Sequence, residues 1–293
     1  MLNDNMIPVL LGVIFGFSNR LIMLRTDYRQ YPTYQHGKMI HLSLGFIAAA
    51  LGAVAVPALM EEDYTAITFL VVAAQQFRDV RNMERETLSK LDQLELVKRG
   101  TTYIEGIAMV FESRNYLVMF AAFFTSMVTV FSDWKIGILA GIVSYFVSKK
   151  FMAGSNLKHI ADIVEGEVRL DGPHLYVDDI YIMNIGLNTN QELIMKHGMG
   201  LIIKPKDQNS IVTLANLGQR QAILHNLSII MGVYRDSGEP ALVPLSKRDL
   251  NDGRLGVFFL PQVKDIKKAI EVAELVPVLE NAIRLPSESD ANK

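Results

Sequence analysis

Three acidic residues, Asp27, Asp79 and Glu105, are the candidates for chemistry in this sequence. Each lies at the polar end of an apolar segment, so packing of those segments would bring their carboxyl groups to one side of a helical bundle. Two carboxyl groups that share one proton divide the roles of acid and base, which predicts a carboxylate-based hydrolase. Arg29 and Arg81 lie close to these acids in the sequence, however, and an arginine–carboxylate ion pair is the more common use of such residues.

The segment Tyr103–Asn115 is the most unusual stretch of the chain. As a helix it places Glu105 and Glu112, seven residues apart, on the side opposite an apolar stripe. One interpretation is an interfacial helix with solvated acids. The other is a helix that re-enters or lines a membrane bundle, because an acid at membrane depth is costly and normally faces a partner or a wet cavity. The candidate partners of Glu105 are three arginines, Arg78, Arg81 and Arg114.

Several chemistries are excluded by what the sequence lacks. The 293 residues include no cysteine, so disulfides, iron–sulfur clusters and cysteine nucleophiles are excluded. The six histidines show no helical i, i+4 pairing, and no zinc-protease, nucleotide-loop or nucleophile-elbow motif is present. We therefore expect no metal site and no cofactor. The net charge of −2 and the isoelectric point of about 6.3 predict no nucleic-acid partner.

Aspartates cluster at predicted turns in the C-terminal half of the chain. Oxygen ligands of this kind bind calcium or magnesium in some proteins. Aspartate is also a common turn residue, and we favour that interpretation. The residues concerned are Asp171, Asp178, Asp179, Asp249 and Asp252.

The apolar residues predict a membrane α-helical bundle followed by a soluble α+β domain. Half of the residues are hydrophobic and the mean hydropathy is +0.21, which is high for a soluble protein of this length. Before about residue 151 they form runs close to the ~20 residues that cross a bilayer. We expect about five transmembrane helices, Ile7–Leu24, Ile40–Met60, Tyr64–Phe77 continuing as one long helix through Arg78–Arg99, Tyr116–Phe131 and Trp134–Phe151.

The charged residues between these segments predict the orientation of the chain. Basic residues follow the first, third and fifth segments, whereas the loop after the second is acidic, Glu61-Glu62-Asp63. The positive-inside rule then places the N-terminus outside and the C-terminus in the cytoplasm. The expected organisation is a transmembrane domain over residues 1–154 with a cytoplasmic helical loop at about 78–112, an α+β domain over 155–286 and a disordered tail over 287–293.

Small residues four positions apart recur in the apolar helices. Such pairs allow close approach of helix backbones, which predicts a compact bundle and a homo-oligomer through these faces. The pairs are Gly12 with Gly16, Gly45 with Ala49, and Gly137 with Gly141.

The pattern of the C-terminal half predicts a mixture of strands and helices. A turn at Asp171–His174 separates two predicted strands, the second of them Leu175–Met183. A helix is predicted over Leu217–Leu227 and a strand over Ile229–Arg235. The closing helix, Val263–Arg284, contains Pro277, which is expected to kink or split it.

The hexapeptide Tyr103-Ile104-Glu105-Gly106-Ile107-Ala108 is identical to the one for which the YIEGIA family of endospore-forming bacteria is named, and the chain resembles that family over its whole length. The polar patches Arg25–Pro32 and Gln76–Arg81 are similar to patches that recur in the family. The resemblance implies a membrane protein of sporulating Firmicutes with a role in spore formation, in the forespore or mother-cell membrane. It implies no molecular activity and no residue roles.

Three functional classes remain open. The first is a regulatory or scaffold protein that binds other membrane or sporulation proteins at the lipid bilayer. The second is a membrane-associated, carboxylate-based protease that processes another sporulation protein. A transporter is the third and least favoured, because the predicted spans carry few polar groups apart from Gln75 and Gln76 and show no internal repeat. Whether the protein is an enzyme is left open by the sequence.

Overall fold

The computed structural model describes residues 6–30, 35–150, 152, 154–235 and 242–288, without the side chains at positions 35, 36 and 78. Tyr31 and Pro32 of the first polar patch, and Phe151 at the end of the last predicted span, lie outside these residues. The chain forms two compact units. The helical unit is drawn from Met1–Thr87 and Ile107–Ala153, and the α+β unit from Leu88–Gly106 and Gly154–Lys293.

The membrane half consists of long helices. They are α1 (Met6–Asp27), α2 (Gln35–Met60), α3 (Tyr64–Asp92), α4 (Thr101–Phe131) and α5 (Trp134–Lys150). Within the described residues, three segments are long and apolar enough to cross a membrane, namely Met6–Asp27, Gly37–Met60 and Thr101–Phe131. These segments contain the predicted first, second and fourth spans, so membrane-spanning helices are supported, whereas the third span in α3 and the fifth span in α5 stay predictions.

Helix α4 contains the segment that the sequence left open between an interfacial and a re-entrant helix. Tyr103–Asn115 forms the first part of this single 31-residue helix and continues without a break into Tyr116–Phe131. Its first six residues belong to the α+β unit and the rest to the helical unit. The segment is thus the first part of a continuous helix that is long and apolar enough to cross a membrane, and no loop interrupts it.

The small residues of α1 lie in close contacts with other helices inside the helical unit. A Cβ added at Gly16 would lie 2.8 Å from the Cβ of Ala122 and 3.1 Å from that of Ala49, and Gly12 is equally close to Ala53. These three alanines are all fully buried. The close approach predicted from the spacing occurs between helices of one chain, and a homo-oligomer through these faces stays a prediction.

The α+β unit contains two antiparallel sheets. The four-stranded sheet has the order β1-β5-β7-β6, and the three-stranded sheet has the order β2-β3-β4. Leu175, Ile202 and Phe258 belong to the core cluster of this unit and are completely buried. The strands are β1 (Ala161–Gly166), β2 (Val168–Asp171), β3 (His174–Val177), β4 (Ile180–Asn184), β5 (Met199–Pro205), β6 (Leu245–Arg248) and β7 (Leu255–Phe259).

The described residues of this unit also form five helices and two short 3-10 turns, at Glu280–Ala282 and Pro286–Glu288. The second turn includes the first two residues of the tail expected to be disordered, and the tail beyond residue 288 lies outside the described residues. The helices are α6 (Leu157–Ile160), α7 (Asn188–His197), α8 (Gln208–Ala215), α9 (Leu217–Met231) and α10 (Ile266–Leu275).

Three predicted elements of this unit are wrong in extent or type. The strand predicted at Ile229–Arg235 is absent, because α9 continues to Met231 and ends at Gly232, whose φ of +70° suits glycine. The strand predicted at Leu175–Met183 is two strands, since Asp178 turns the chain with a φ of +53°. The predicted closing helix ends at Leu275, two residues before Pro277.

Candidate functional site

The helical unit contains a buried ionic cluster around Asp27, the last residue of α1. Arg20 Nη1 donates to Asp27 Oδ2 at 2.7 Å, and Arg114 Nε on α4 donates to Asp27 Oδ1 at 3.1 Å. The three side chains are 0%, 8% and 2% exposed for Arg20, Asp27 and Arg114. Buried charges persist only when they are paired and hydrogen-bonded, so this carboxylate ties α1 to α4.

The position of Arg20 depends on a glycine of α2. A Cβ at Gly45 would lie 2.4 Å from Arg20 Cγ, so the guanidinium stem passes over the space that a larger residue would fill. The cationic carbon lies 5.0 Å from the centroid of the Phe111 ring on α4, within the range of a cation–π contact. Arg20 and Asp27 are seven residues apart, two helical turns, and therefore share one face of α1.

Glu84 on α3 and His41 on α2 extend the cluster. Glu84 Oε2 lies 3.8 Å from His41 Nε2, and the two side chains are 7% and 3% exposed. Burial raises the pKa of Glu84 to about 7, and the nearby positive charge of Arg20 opposes this shift. Among the described residues, Glu84 Oε1 and the Nε and Nη2 groups of Arg20 have no hydrogen-bond partner. The cluster therefore holds a carboxyl group that titrates near neutral pH beside a guanidinium with spare donors.

The other predicted site residues of the helical unit lie at different places. Asp79 and Arg29 are exposed, and the side chain of Arg78 lies outside the described residues. Arg81 and Glu112 form an ion pair of 3.8 Å at the edge of the unit, with side chains 36% and 23% exposed. The structure thus brings Asp27 together with Arg114, while Asp79 lies on an exposed helix face.

Arg20, His41 and Glu84 were not among the residues predicted for the site. One signal was available, since an ionisable residue within an apolar run, as Arg20 is, marks a functional or structural site. His41 near the start of α2 gave a weaker signal. Glu84 lies in a stretch rich in charged residues, where nothing local distinguishes the one acid that becomes buried.

The geometry of Asp27 bears on the chemistry that the cluster can perform. A carboxylate dyad needs two acids that share a proton, but both oxygens of Asp27 accept hydrogen bonds from arginines. Among the described residues, no group of three or more histidine, aspartate or glutamate side chains is arranged to hold a metal ion. The arrangement is that of an ionic crosslink between helices, with Glu84 and His41 as titratable neighbours.

The hexapeptide at Tyr103 takes part in the α+β unit through its first residues. Tyr103 is 1% exposed, and its backbone N–H donates to Gln221 Oε1 of α9 at 3.0 Å. Gly106 faces Asn281, because an added Cβ would lie 2.7 Å from the amide oxygen. Glu105 between them is half-buried. The hexapeptide therefore packs one end of α4 onto the C-terminal part of the chain.

The segment that precedes the hexapeptide is held by a buried histidine of α9. His225 Nδ1 lies 2.8 Å from the carbonyl oxygen of Val97, which fixes Nδ1 as the donor in the neutral ring. Burial lowers the pKa of His225, and the positive charge of Arg99 lowers it further. The neutral ring thus fastens residues 88–106 to α9.

The aspartates predicted either to bind a cation or to form turns surround an arginine. Arg254 Nη2 donates to Asp179 Oδ2 at 2.8 Å, and its Nε donates to Asp252. The hydrogen bond from Arg254 lowers the pKa of Asp179. Asp178 accepts a hydrogen bond from the backbone N–H of Glu167 at 2.6 Å. A guanidinium occupies the place that a metal ion would take among Asp179, Asp249 and Asp252.

Comparison with known proteins relates the chain to one family. The YIEGIA protein family matches residues 8–289. A curated relative from Bacillus subtilis (strain 168), named "Uncharacterized protein YphB", is 58% identical over 292 residues, which cover 100% of this chain and 98% of the relative. No solved structure gives a significant match.

Proposed function

We propose that this chain, which belongs to the YIEGIA protein family, acts in spore formation as a regulatory or scaffold protein anchored in the cell membrane. The observation that supports the proposal is the double hydrogen bonding of Asp27 by Arg20 and Arg114. This hydrogen bonding makes the buried ionic cluster around Asp27 a crosslink between α1 and α4. A bundle built in this way serves to anchor the α+β unit, which then acts as the binding module.

We further propose five spans, with the N-terminus outside and the C-terminus in the cytoplasm of the forespore or mother cell. Helix α5 has 17 residues, about 26 Å at 1.5 Å per residue, which approaches the ~30 Å hydrocarbon layer. It packs against α1, where Asn19 Nδ2 donates to Ser144 Oγ at 3.2 Å. Reporter fusions after Glu62 and after Asn156 test this topology. An exported signal at Glu62 and a cytoplasmic signal at Asn156 are expected, and the reverse pattern would refute it.

The partners of the α+β unit are expected to be other membrane or sporulation proteins. Affinity purification of the full-length protein from sporulating cells tests this directly. A matched sample that carries Asp27→Asn controls for loss of the anchor. Specific partners that disappear when the α+β unit is deleted support the binding role, whereas partners that persist without that unit argue against it.

A carboxylate-based membrane protease is the alternative, and Glu84 is the observation that favours it. A buried carboxyl group with a pKa of about 7 beside His41 is suited to general acid–base chemistry. Comparative proteomics of sporulating cells with the gene deleted, or with Glu84→Gln or Glu105→Gln, separates the two functions. A protein that accumulates and loses a cleavage product in the deletion and in a glutamine variant of normal abundance supports the protease. Unchanged cleavage together with defective sporulation supports the scaffold.

A further inference from the structure

An apolar groove of about 470 Å³ lies between α2, α3 and α4 in the helical unit. Leu51 and Gly52 of α2, Val71 and Ala74 of α3, and Met119 and Phe120 of α4 contribute to its lining. Among the described residues that line the groove, none has a charged side chain. Its floor is closed, because α2 and α4 touch at Gly52, where an added Cβ would lie 2.2 Å from the carbonyl oxygen of Met119.

The groove opens toward the surroundings of the helices. Val71, Phe120 and Leu59 at its rim are each more than half exposed. Two of its three walls belong to Gly37–Met60 and Thr101–Phe131, which are long and apolar enough to cross a membrane. The groove therefore lies at the depth of the hydrocarbon layer, and lipid tails are the molecules that reach its mouth.

The size of the groove favours a thin, flexible occupant. An apolar cavity of about 150 Å³ holds a molecule of benzene, so a volume of this size accommodates roughly 18 carbon atoms. That is the length of a long acyl chain. A partner helix about 10 Å wide is a poorer match, because a groove of this volume would enclose only about one of its turns.

We propose that this groove binds one acyl chain of a membrane phospholipid. The chain packs between α3 on one side and the α2–α4 pair on the other, and supplies the apolar contacts that α3 lacks along this face. The inference uses the membrane location of the helical unit but not the proposed role in spore formation, so it stands or fails separately.

The test uses the full-length protein reconstituted in vesicles of palmitoyl-oleoyl phosphatidylglycerol and phosphatidylethanolamine, and then extracted with a maltoside detergent. Native mass spectrometry counts the phospholipids that are retained. We expect the wild type to retain one phospholipid that Ala74→Phe loses, because the added ring fills the groove. Ile14→Phe, on an exposed position of α1, is the matched control and is expected to retain it. Equal retention by folded Ala74→Phe and by the wild type overturns the proposal.

A second measurement needs no variant. Wild-type protein in vesicles that contain phosphatidylglycerol with a photoactivatable group on its acyl chain is irradiated and digested. Labelling concentrated on peptides with Val71, Ala74 and Phe120 supports the proposal. Labelling spread evenly over the exposed apolar residues overturns it.

Discussion

Replacing Asp27 with asparagine leaves two guanidinium groups inside the helical unit without the carboxylate that binds both. The side chains of Arg20 and Arg114 are 0% and 2% exposed, so water does not substitute for the lost charge. Removing one partner of a buried ion pair costs about 3–5 kcal/mol. Because two cations lose their partner here, we expect Asp27→Asn to lower the free energy of unfolding by an amount in the upper part of that range.

Thermal unfolding of the full-length protein in detergent, followed by circular dichroism, measures this effect, and the amount of protein in the membrane fraction reports it in cells. Asp79→Asn is the matched control, because Asp79 is exposed. The double variant Asp27→Asn/Arg114→Gln restores the net charge of the three residues, so part of the stability should return. If Asp27→Asn unfolds within about 0.5 kcal/mol of Asp79→Asn, the ionic crosslink contributes little and the argument is refuted.

Three further predictions concern single contacts. The pKa of Glu84 is about 7 in the folded protein against an ordinary 4.5, so as the pH rises the unfolded chain loses this proton first, and the free energy of unfolding falls between these two values. Glu84→Gln should therefore be more stable than the wild type above pH 7, by up to about 3 kcal/mol, and equal to it near pH 4. Melting temperatures of the two proteins that run parallel across this pH range would contradict the prediction. Gly45→Ala should displace Arg20 and lower the free energy of unfolding by about 1–3 kcal/mol, which a lower melting temperature would report. Gly154→Ala is the control, because an added Cβ there meets nothing within 4 Å. Equal melting temperatures of the two variants would contradict the role of Gly45. A peptide of residues 88–106 should bind the isolated fragment 154–288 and raise its melting temperature, whereas the same peptide with Tyr103→Ala should bind more weakly. Calorimetry measures both affinities, and no binding by either peptide would contradict this packing.

The sequence predicts the helices well, because their signal is local. Apolar runs predicted the long helix that begins at Tyr64, where neither glycine nor proline interrupts the sequence, and the helix at Trp134, to within a few residues except at the C-terminus of the former. The turn at Asp171–His174 was equally local, and it joins β2 to β3. The strand predicted at Ile229–Arg235 failed because its β-branched residues favour a strand, whereas the hydrogen bonds of α9 extend to Met231.

The candidate site could be predicted only in part, because its partners are distant in the sequence. Asp27 was selected, and its partner Arg114 was named only for Glu105, since the two residues are 87 positions apart and no signal in the sequence joins the pair. Arg20 was visible as a charge in an apolar run, but its burial depends on Gly45 of another helix. Local patterns identify elements, whereas the choice of which charges become buried depends on how the elements pack.

The composition of the α+β unit has a consequence for the assembly of the protein. Residues 88–106 and 154–288 fold together, so both must lie on the same side of the membrane, and the chain between them must cross it an even number of times. If α4 crosses, α5 must cross back. The hydrogen bond from Tyr103 to Gln221 joins residues 118 positions apart, so this unit cannot close until the chain has been synthesised at least as far as α9, which follows α4 and α5 in the sequence. Residues 88–106 are therefore synthesised well before α9, against which they pack. A chain that stops before α9 leaves the apolar face around Tyr103 available to chaperones and proteases.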